Sequence, residues 1–489
     1  MRLHVKSVCG GIVLGVSVLA LGCTELFFAF GPGGIWGPEQ SSLATTGGDT
    51  PTVIAAPAYV SDQIDPLLEA TAGAKVIVQA QLTDDNGDGL INNADDMDLV
   101  SGHDENQPIQ IHIKQADGKF LTLSIAGGGP IARMRDLAIA DFDSDGRNDI
   151  AVLVNDTGFV PQPGADLRGA VVLLFNPPTP TNALSWVEVN LVQPFILPSD
   201  ATGMTSFAVA DFNGDGRTDI VLGTNEIDDV LGETQKNVRL YLNPGGAAAR
   251  GEALWTETTD PLEEEAVAVE ALGAADIDGD GDMDIVASFP VAKTFSIHWL
   301  VNPRIPAGVA VCEAGVWARK MIGQQGEVDP DNQGGDFVAL GDIDGDGDTD
   351  VAAAHAGLRL VQWFRNPAQP AAAGGWNIVK QQTFPWEVFN LTRLQEGFTI
   401  TQLQLVRLNG DAQLDGFLTA NGSMVGMEVG DDIENFWDAF TITTTDPVAE
   451  IGKCQIMDVN GDGLFDIVAP LNRSGLTQDQ ILVYLRLTP

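Results

Sequence analysis

Carboxylates alternating with small residues over nine positions mark the stretches of this chain that can do chemistry. The run Asp141-Phe142-Asp143-Ser144-Asp145-Gly146-Arg147-Asn148-Asp149 sets acidic side chains at positions 1, 3, 5 and 9, with glycine at position 6. The plan recurs as Asp211, Asn213, Asp215, Arg217 and Asp219, and as Asp276, Asp278, Asp280, Asp282 and Asp284. It returns as Asp342, Asp344, Asp346, Asp348 and Asp350, and as Asp458, Asn460, Asp462, Leu464 and Asp466. In a tight turn the side chains at 1, 3 and 5 converge, position 7 offers its carbonyl, and Asp at 9 completes a set of about six hard oxygen donors. Glycine at 6 lets the backbone take a positive φ. Calcium suits such a set, because magnesium prefers smaller rigid octahedra and softer metals want His or Cys.

Two further copies depart from the plan. The run Arg407-Leu408-Asn409-Gly410-Asp411-Ala412-Gln413-Leu414-Asp415 puts a cation at the first ligand position and Ala where Gly is wanted. No metal is expected there, and Arg407 is expected to pair with Asp411 or Asp415. The first copy begins at Asp84, with Asn86 and Asp88 as its next ligands, and carries an insertion of about six residues before the strand that opens Asp98-Leu99-Val100. By itself Asp84 to Asp95 resembles a dockerin or EF-hand loop, which would imply a cohesin partner. The alternative, a repeat loop with a short helical insert, is preferred because the flanking strands fit the repeat and the second loop of a dockerin is missing. The expected load is about five to six calcium ions.

The loops are held by a periodic frame, with copies about fifty to seventy residues apart. An apolar strand enters each full loop (LAIADF, FAVADF, LGAADI, VALGDI, CQIMDV). A second leaves it rich in β-branched residues (DIAVLV, DIVLGT, DIVASF, DVAAAH, DIVAPL). A third closes on Asn176-Pro177, Asn243-Pro244, Asn302-Pro303 or Asn366-Pro367, where proline ends the ladder. A fourth opens on an aromatic residue: Phe120, Trp186, Trp255, Trp317, Trp376 and Trp437, read as blade-to-blade packing rather than sugar stacking. Four short strands repeated seven times, with no helical period between them, predict an all-β fold: a seven-bladed β-propeller with four-stranded antiparallel blades. The chain ends after the third strand of its last repeat, so an N-terminal segment is expected to close the ring, with Thr52 to Ala56 as the candidate.

Composition bounds the partners. A net charge of −43, from 68 acidic and 25 basic residues, excludes nucleic acid and an anionic membrane surface as targets. Hydrophobic content of 44%, with 21 Phe and 9 Trp, excludes a disordered acidic chain. Arg2, His4 and Lys6 precede an apolar run from Ile12 to Leu21 that is too short to span a membrane and reads as an export signal. Leu19-Ala20-Leu21-Gly22-Cys23 resembles a lipoprotein lipobox, with Ala20 where Leu is usual, so Cys23 is the expected lipid anchor. Residues 1–22 are read as this signal, 23–60 as a Gly, Pro, Ser and Thr-rich linker, and 61–489 as the propeller. Cys312 and Cys454 fall in different repeats and are expected to be buried and unpaired.

The DxDGDGxxD loop followed by Asp-Ile-Val resembles the FG-GAP/VCBS repeat family, whose propeller is similar to the N-terminal domain of integrin α-chains. The resemblance covers roughly 70–489, without the Phe-Gly and Gly-Ala-Pro halves of the integrin motif. It implies calcium and recognition of an extracellular protein or glycan. His103, His112, His298 and His355 fall in no catalytic motif. The expectation is a monomeric binding or adhesion module in the bacterial envelope or secreted, with the loops at 155–168 and 225–236 as contact candidates. The alternatives are a lyase-like polysaccharide enzyme on a calcium propeller, and a structural envelope component.

Overall fold

The computed structural model describes residues 59–63 and, between 74 and 486, the strands with most of their tight turns. The segments 85–96, 104–107, 126–131, 157–169, 192–203, 225–237, 258–268, 304–316, 325–335, 368–385, 443–448 and 474–479 are among those outside the described residues.

Seven antiparallel sheets follow one another along the chain. Blade 1 is Ala74–Ala80, Asp98–His103, Gln110–Lys114 and Phe120–Ser124; blade 2 is Ala132–Ala140, Asp149–Asp156, Ala170–Phe175 and Val187–Asn190. Blade 3 is Met204–Ala210, Asp219–Thr224, Val238–Leu242 and Thr256–Glu257; blade 4 is Ala271–Ala275, Asp284–Val291, Thr294–Val301 and Ala318–Gln324. Blade 5 is Phe337–Gly341, Asp350–His355, Leu360–Arg365 and Glu387–Arg393; blade 6 is Ile400–Val406, Asp415–Ala420, Ser423–Glu428 and Asp438–Ile442. In blade 7, Ala449–Ile451 and Gln455–Met457 share the innermost place, Asp466–Arg473 and Gln480–Arg486 follow, and Tyr59–Gln63 is the outer strand.

The ring therefore closes with an N-terminal strand, as its missing fourth strand requires. The closing segment is Tyr59–Gln63, paired from Tyr59 opposite Arg486 to Gln63 opposite Leu482. The candidate Thr52 to Ala56 lies outside the described residues. A second device seals the same seam: Lys453 N donates to Lys75 O at 2.7 Å and Ile77 N to Lys453 O at 3.1 Å, joining the main chains of blades 7 and 1. Glycine is required there, since a Cβ on Gly452 would meet Lys75 O at 2.3 Å.

The second strands carry apolar side chains on both faces because each blade is covered by a neighbour on either side. Asp98–His103, Asp219–Thr224, Asp350–His355 and Asp415–Ala420 are buried at every position. The aspartate that opens each of them is the fixed point of its blade. Phe142 N donates to Asp149 Oδ2 at 3.0 Å and Asn176 N to its Oδ1 at 2.8 Å, so one carboxylate joins the loop to the end of the third strand. The arrangement repeats at Asp219, Asp284, Asp350, Asp415 and Asp466. In blade 1, Leu82 N and Lys114 N donate to Asp98. Leu82 thus stands where Phe142 stands in blade 2, and the first loop position is Gln81. The reading that began this copy at Asp84 is corrected by three residues, and the run from Gln81 to Asp98 is nine residues longer than that from Asp141 to Asp149, where an insertion of six was expected.

The residue at loop position 2, whose N–H goes to its own aspartate, then reaches the next blade two ways. Its carbonyl accepts from an asparagine of the following blade: Asn176 Nδ2 to Leu82 O at 3.1 Å, Asn243 to Phe142 at 2.7 Å, Asn302 to Phe212 at 2.8 Å and Asn366 to Ile277 at 2.7 Å. Its side chain packs on the tryptophan that precedes the following blade's outer strand. Phe142 meets Trp255 at 6.4 Å between ring centroids and Phe212 meets Trp317 at 6.5 Å, while Ile277 clusters with Trp386 and Ile343 with Trp437. The aromatic position of blade 5 is therefore Trp386, adjacent to Glu387, and not Trp376, which lies outside the described residues. These tryptophans are buried, as blade-to-blade packing requires.

Blade 6 isolates the aspartate clamp from any metal, since its loop opens on Arg407. Asp415→Ala would strand the buried N–H groups of Leu408 and Val429, and a loss of about 3 kcal/mol is expected. Denaturant midpoints measured with calcium and with chelator should fall by the same amount.

Candidate metal centres

The loop backbone is shaped before any ion arrives. Asp141 accepts from Asp145 N at 3.1 Å and Gly146 N at 2.8 Å, and Asp145 in turn accepts from Arg147 N at 3.1 Å. Loops 3, 4, 5 and 7 repeat these turns at Asp211, Asp276, Asp342 and Asp458. Position 6 is left-handed throughout, from φ 81° at Gly216 to 97° at Gly347. Position 4 is left-handed too, which the sequence reading missed; Ser144 holds φ 58° where the other four loops place glycine.

Three loops bring side-chain oxygens of positions 1, 3 and 9 within 4.8 Å of one another: Asp141, Asp143 and Asp149; Asp276, Asp278 and Asp284; Asp342, Asp344 and Asp350. These clusters could hold metal ions. Loops 3 and 7 have Asn213 and Asn460 at position 3, an amide oxygen in place of a carboxylate. Asp84 lies two residues past Leu82, and Asn86 and Asp88 lie outside the described residues. In loop 6, Arg407 is exposed, and among the described residues neither expected ion pair, to Asp411 or to Asp415, forms.

A hydrogen-bonded turn would by itself explain acidic residues at positions 1 and 5. It does not explain position 3 in loops 2 and 4, where Asp143 Oδ1 and Asp278 Oδ1 are buried and accept no hydrogen bond. A buried carboxylate oxygen without a donor is costly, and a bound cation would supply what it lacks. The donor set, all oxygen and partly preorganised, fits a hard divalent ion.

Electrostatics point the same way. Burial first, then neighbouring carboxylates, push Asp149 up to about 8, although the N–H groups of Asn176 and Phe142 pull it down. Asp219, Asp284 and Asp350 are pushed up to about 7 for the same reasons. Asp415, clamped identically but in the loop without a ligand set, rises only to about 6. Burial is the leading cause in every case, and neighbouring carboxylates add to it, among them Glu428 and Asp411 at Asp415.

The histidines sit elsewhere. His103, His112, His298 and His355 are buried within blades. His112 is held by Ser101 Oγ at 2.8 Å and Thr122 Oγ1 at 2.8 Å, and burial, with His103 beside it, lowers it to about 3. His112 and His298 both lie in third strands, as read from the repeat. Their registers differ, however: His112 is opposite Leu99, one residue past the clamp, and His298 is opposite Ala287, three past it. Cys454 is a buried free thiol, and Cys312 lies outside the described residues. Of the loops read as contact candidates, all of 225–236 and all but the first two residues of 155–168 also lie outside them.

Residues 91–152 match the FG-GAP-like repeat and residues 205–226 the FG-GAP repeat, so the chain carries FG-GAP repeats within its seven blades. No curated protein sequence matches it. Among solved structures it is similar to BBS1N in complex with ARL6DN, soaked with lead, at 10% identity over 89% of this chain and 99% of that chain, with a TM-score of 0.46. It is similar to a luciferin-regenerating enzyme at 9% identity over 88% and 96% of the two chains, TM-score 0.39. It is also similar to the Photorhabdus luminescens Tc holotoxin pore at 15% identity over 80% and 17%, TM-score 0.34.

The raised aspartates fix the sign of the pH dependence. Between the ordinary carboxylate range near 4 and about 8, the ion-free fold holds more protons than the unfolded chain, so its stability falls as pH rises. Melting temperatures in chelator should therefore drop from pH 5 to pH 8. In calcium the ion replaces those protons, and the stabilisation by calcium should grow over the same interval.

Proposed function

We propose that this FG-GAP propeller is an exported, calcium-loaded binding module that presents a rigid ring to an extracellular protein or glycan ligand. One observation carries the reading: the second residue of loops 2, 3 and 4 is joined to the following blade by carbonyl and side chain, and that of loop 5 by its side chain. An ion that fixes the loop therefore fixes a blade junction, so calcium would rigidify several junctions rather than single turns.

Five loops keep the full ligand plan, from Asp141, Asp211, Asp276, Asp342 and Asp458. Calcium fits their oxygen sets, and FG-GAP repeats often bind it. Affinities of roughly 10⁻⁴ to 10⁻³ M are typical of extracellular modules and suit a protein whose net charge of −43 is tolerable only where calcium is plentiful. The export signal over 1–22, a lipid on Cys23 and a linker before Tyr59 would hold a monomeric ring away from the envelope. The buried histidines support binding over catalysis, because none of them lines an open surface.

Calcium should raise the melting temperature by several degrees at millimolar concentration, as mass action on sites present only in the fold requires. The immobilised protein should then retain a ligand from panels of glycans and envelope proteins in calcium and release it in chelator. Release of unsaturated uronic products from a polysaccharide panel would instead establish a lyase, and an unchanged melting temperature would remove calcium from the account.

A further inference from the structure

The third ligand position divides the loops into two kinds. It is Asp143, Asp278 and Asp344 in loops 2, 4 and 5, and Asn213 and Asn460 in loops 3 and 7. Each aspartate has a cation brought to it from outside the loop. Arg250 Nε donates to Asp143 Oδ2 at 2.6 Å, and its guanidinium lies 5.2 Å from the Phe175 ring. Arg365 Nε stands 2.8 Å from Asp344 Oδ2, with its guanidinium 4.7 Å from Trp363 and 4.9 Å from Phe389. Lys320 Nζ sits 4.4 Å from the Trp299 ring, and its charge acts on both Asp278 and Asp284. At Asn213 and Asn460 the side-chain amide instead donates within the loop, to Asp215 and Asp462 at 3.0 Å. Among the described residues no lysine or arginine from another strand faces either asparagine.

The three cations do not occupy one repeat position. Arg250 ends a 3-10 turn of the following blade, Lys320 lies in the outer strand of its own blade, and Arg365 ends a third strand. Copying of a repeat would have placed them alike; a shared electrostatic demand need not. At positions 1, 3, 5 and 9, loops 2, 4 and 5 carry four carboxylates and loops 3 and 7 carry three, and the facing cation offsets the fourth. At position 7, Arg147 and Arg217 pair with Asp145 and Asp215 inside their own loops, and Arg365 also pairs with Glu387 and Glu434.

We propose that Arg250, Lys320 and Arg365 are counter-cations to the third-position aspartates, which offset the fourth carboxylate of these loops and so lower their affinity for calcium. The aromatic ring beneath each cation keeps it in place when an ion enters. Calcium affinity follows the charge of the ligand set, so an unmatched fourth carboxylate would tighten a site and weaken the ion-free fold. This rests on the calcium reading given above.

Calcium competition titrations of the full chain against a chelator of known affinity test it. Arg365→Gln should tighten one site about tenfold, and Lys320→Gln should do the same at another. The double variant Asp344→Asn with Arg365→Gln, which restores the charge of loop 3, should return to the wild-type affinity. In chelator Arg365→Gln should melt lower than wild type, and its calcium-induced rise should exceed that of wild type. A purely structural arginine would lower both melting temperatures equally and leave affinity unchanged. That result, with wild-type calcium binding intact, overturns this proposal alone. No calcium uptake by the wild type would overturn the calcium reading and this proposal together.

Discussion

A buried carboxylate that opens the second strand of every blade and accepts main-chain N–H groups from the loop and from the third strand is the constraint on which the rest is built. Asp98, Asp149, Asp219, Asp284, Asp350, Asp415 and Asp466 all make it, including blade 1, whose loop is longer, and blade 6, whose loop opens on Arg407. Hydrogen bonds to a charged acceptor contribute about 1.5–3 kcal/mol each, which offsets part of the cost of taking the carboxylate out of water. The loop is then not an ornament on a strand junction. Its second residue is fixed by the clamp, and that residue holds the next blade by carbonyl and side chain together.

Much of this was legible in the sequence. Period, strand order, the need for an N-terminal closing strand and the packing role of the tryptophans follow from spacing and side-chain type alone. What escaped was the double duty of particular residues. The aspartate at position 9 read as a metal ligand because it completes an oxygen set, yet Asp415 is kept where Arg407 stands at the first position, and that persistence is the signal of a separate demand. The asparagine before proline read as a strand breaker. Proline alone would suffice for a break, and the asparagine is there because its two N–H groups join the previous blade and its own loop. Trp376 and Trp386 lie ten residues apart, and only the pairing of Arg365 with Glu387 decides between them.

The asparagine latch serves the junctions from blade 1 to blade 5 and is replaced beyond them. Between blades 6 and 7, Gln402 exchanges two hydrogen bonds with the main chain of Cys454, at 2.8 and 3.0 Å. Between blades 5 and 6, Arg365 reaches Glu434 at 2.9 Å, and between 7 and 1 the backbones pair directly. Blade 6 therefore sits between junctions that lack the latch, and its own loop lacks the ligand plan. Coupling from the acidic loops to their neighbouring blades is concentrated in blades 2 to 5, with loop 7 beside the seam.

That distribution bears on why the ring tolerates so much negative charge. Carboxylates crowded at one end of the strands raise one another's pKa and oppose the fold unless something positive is near. The protein meets this locally: Arg147 and Arg217 fold back on Asp145 and Asp215 within their own loops, and Arg250 crosses from blade 3 to Asp143 in blade 2. Each such contact lies at or next to a blade junction. Neutralising a loop and joining two blades are thus the same act, whether a side chain or an ion performs it, and the acidic surface is the consequence of building the junctions out of oxygen ligands.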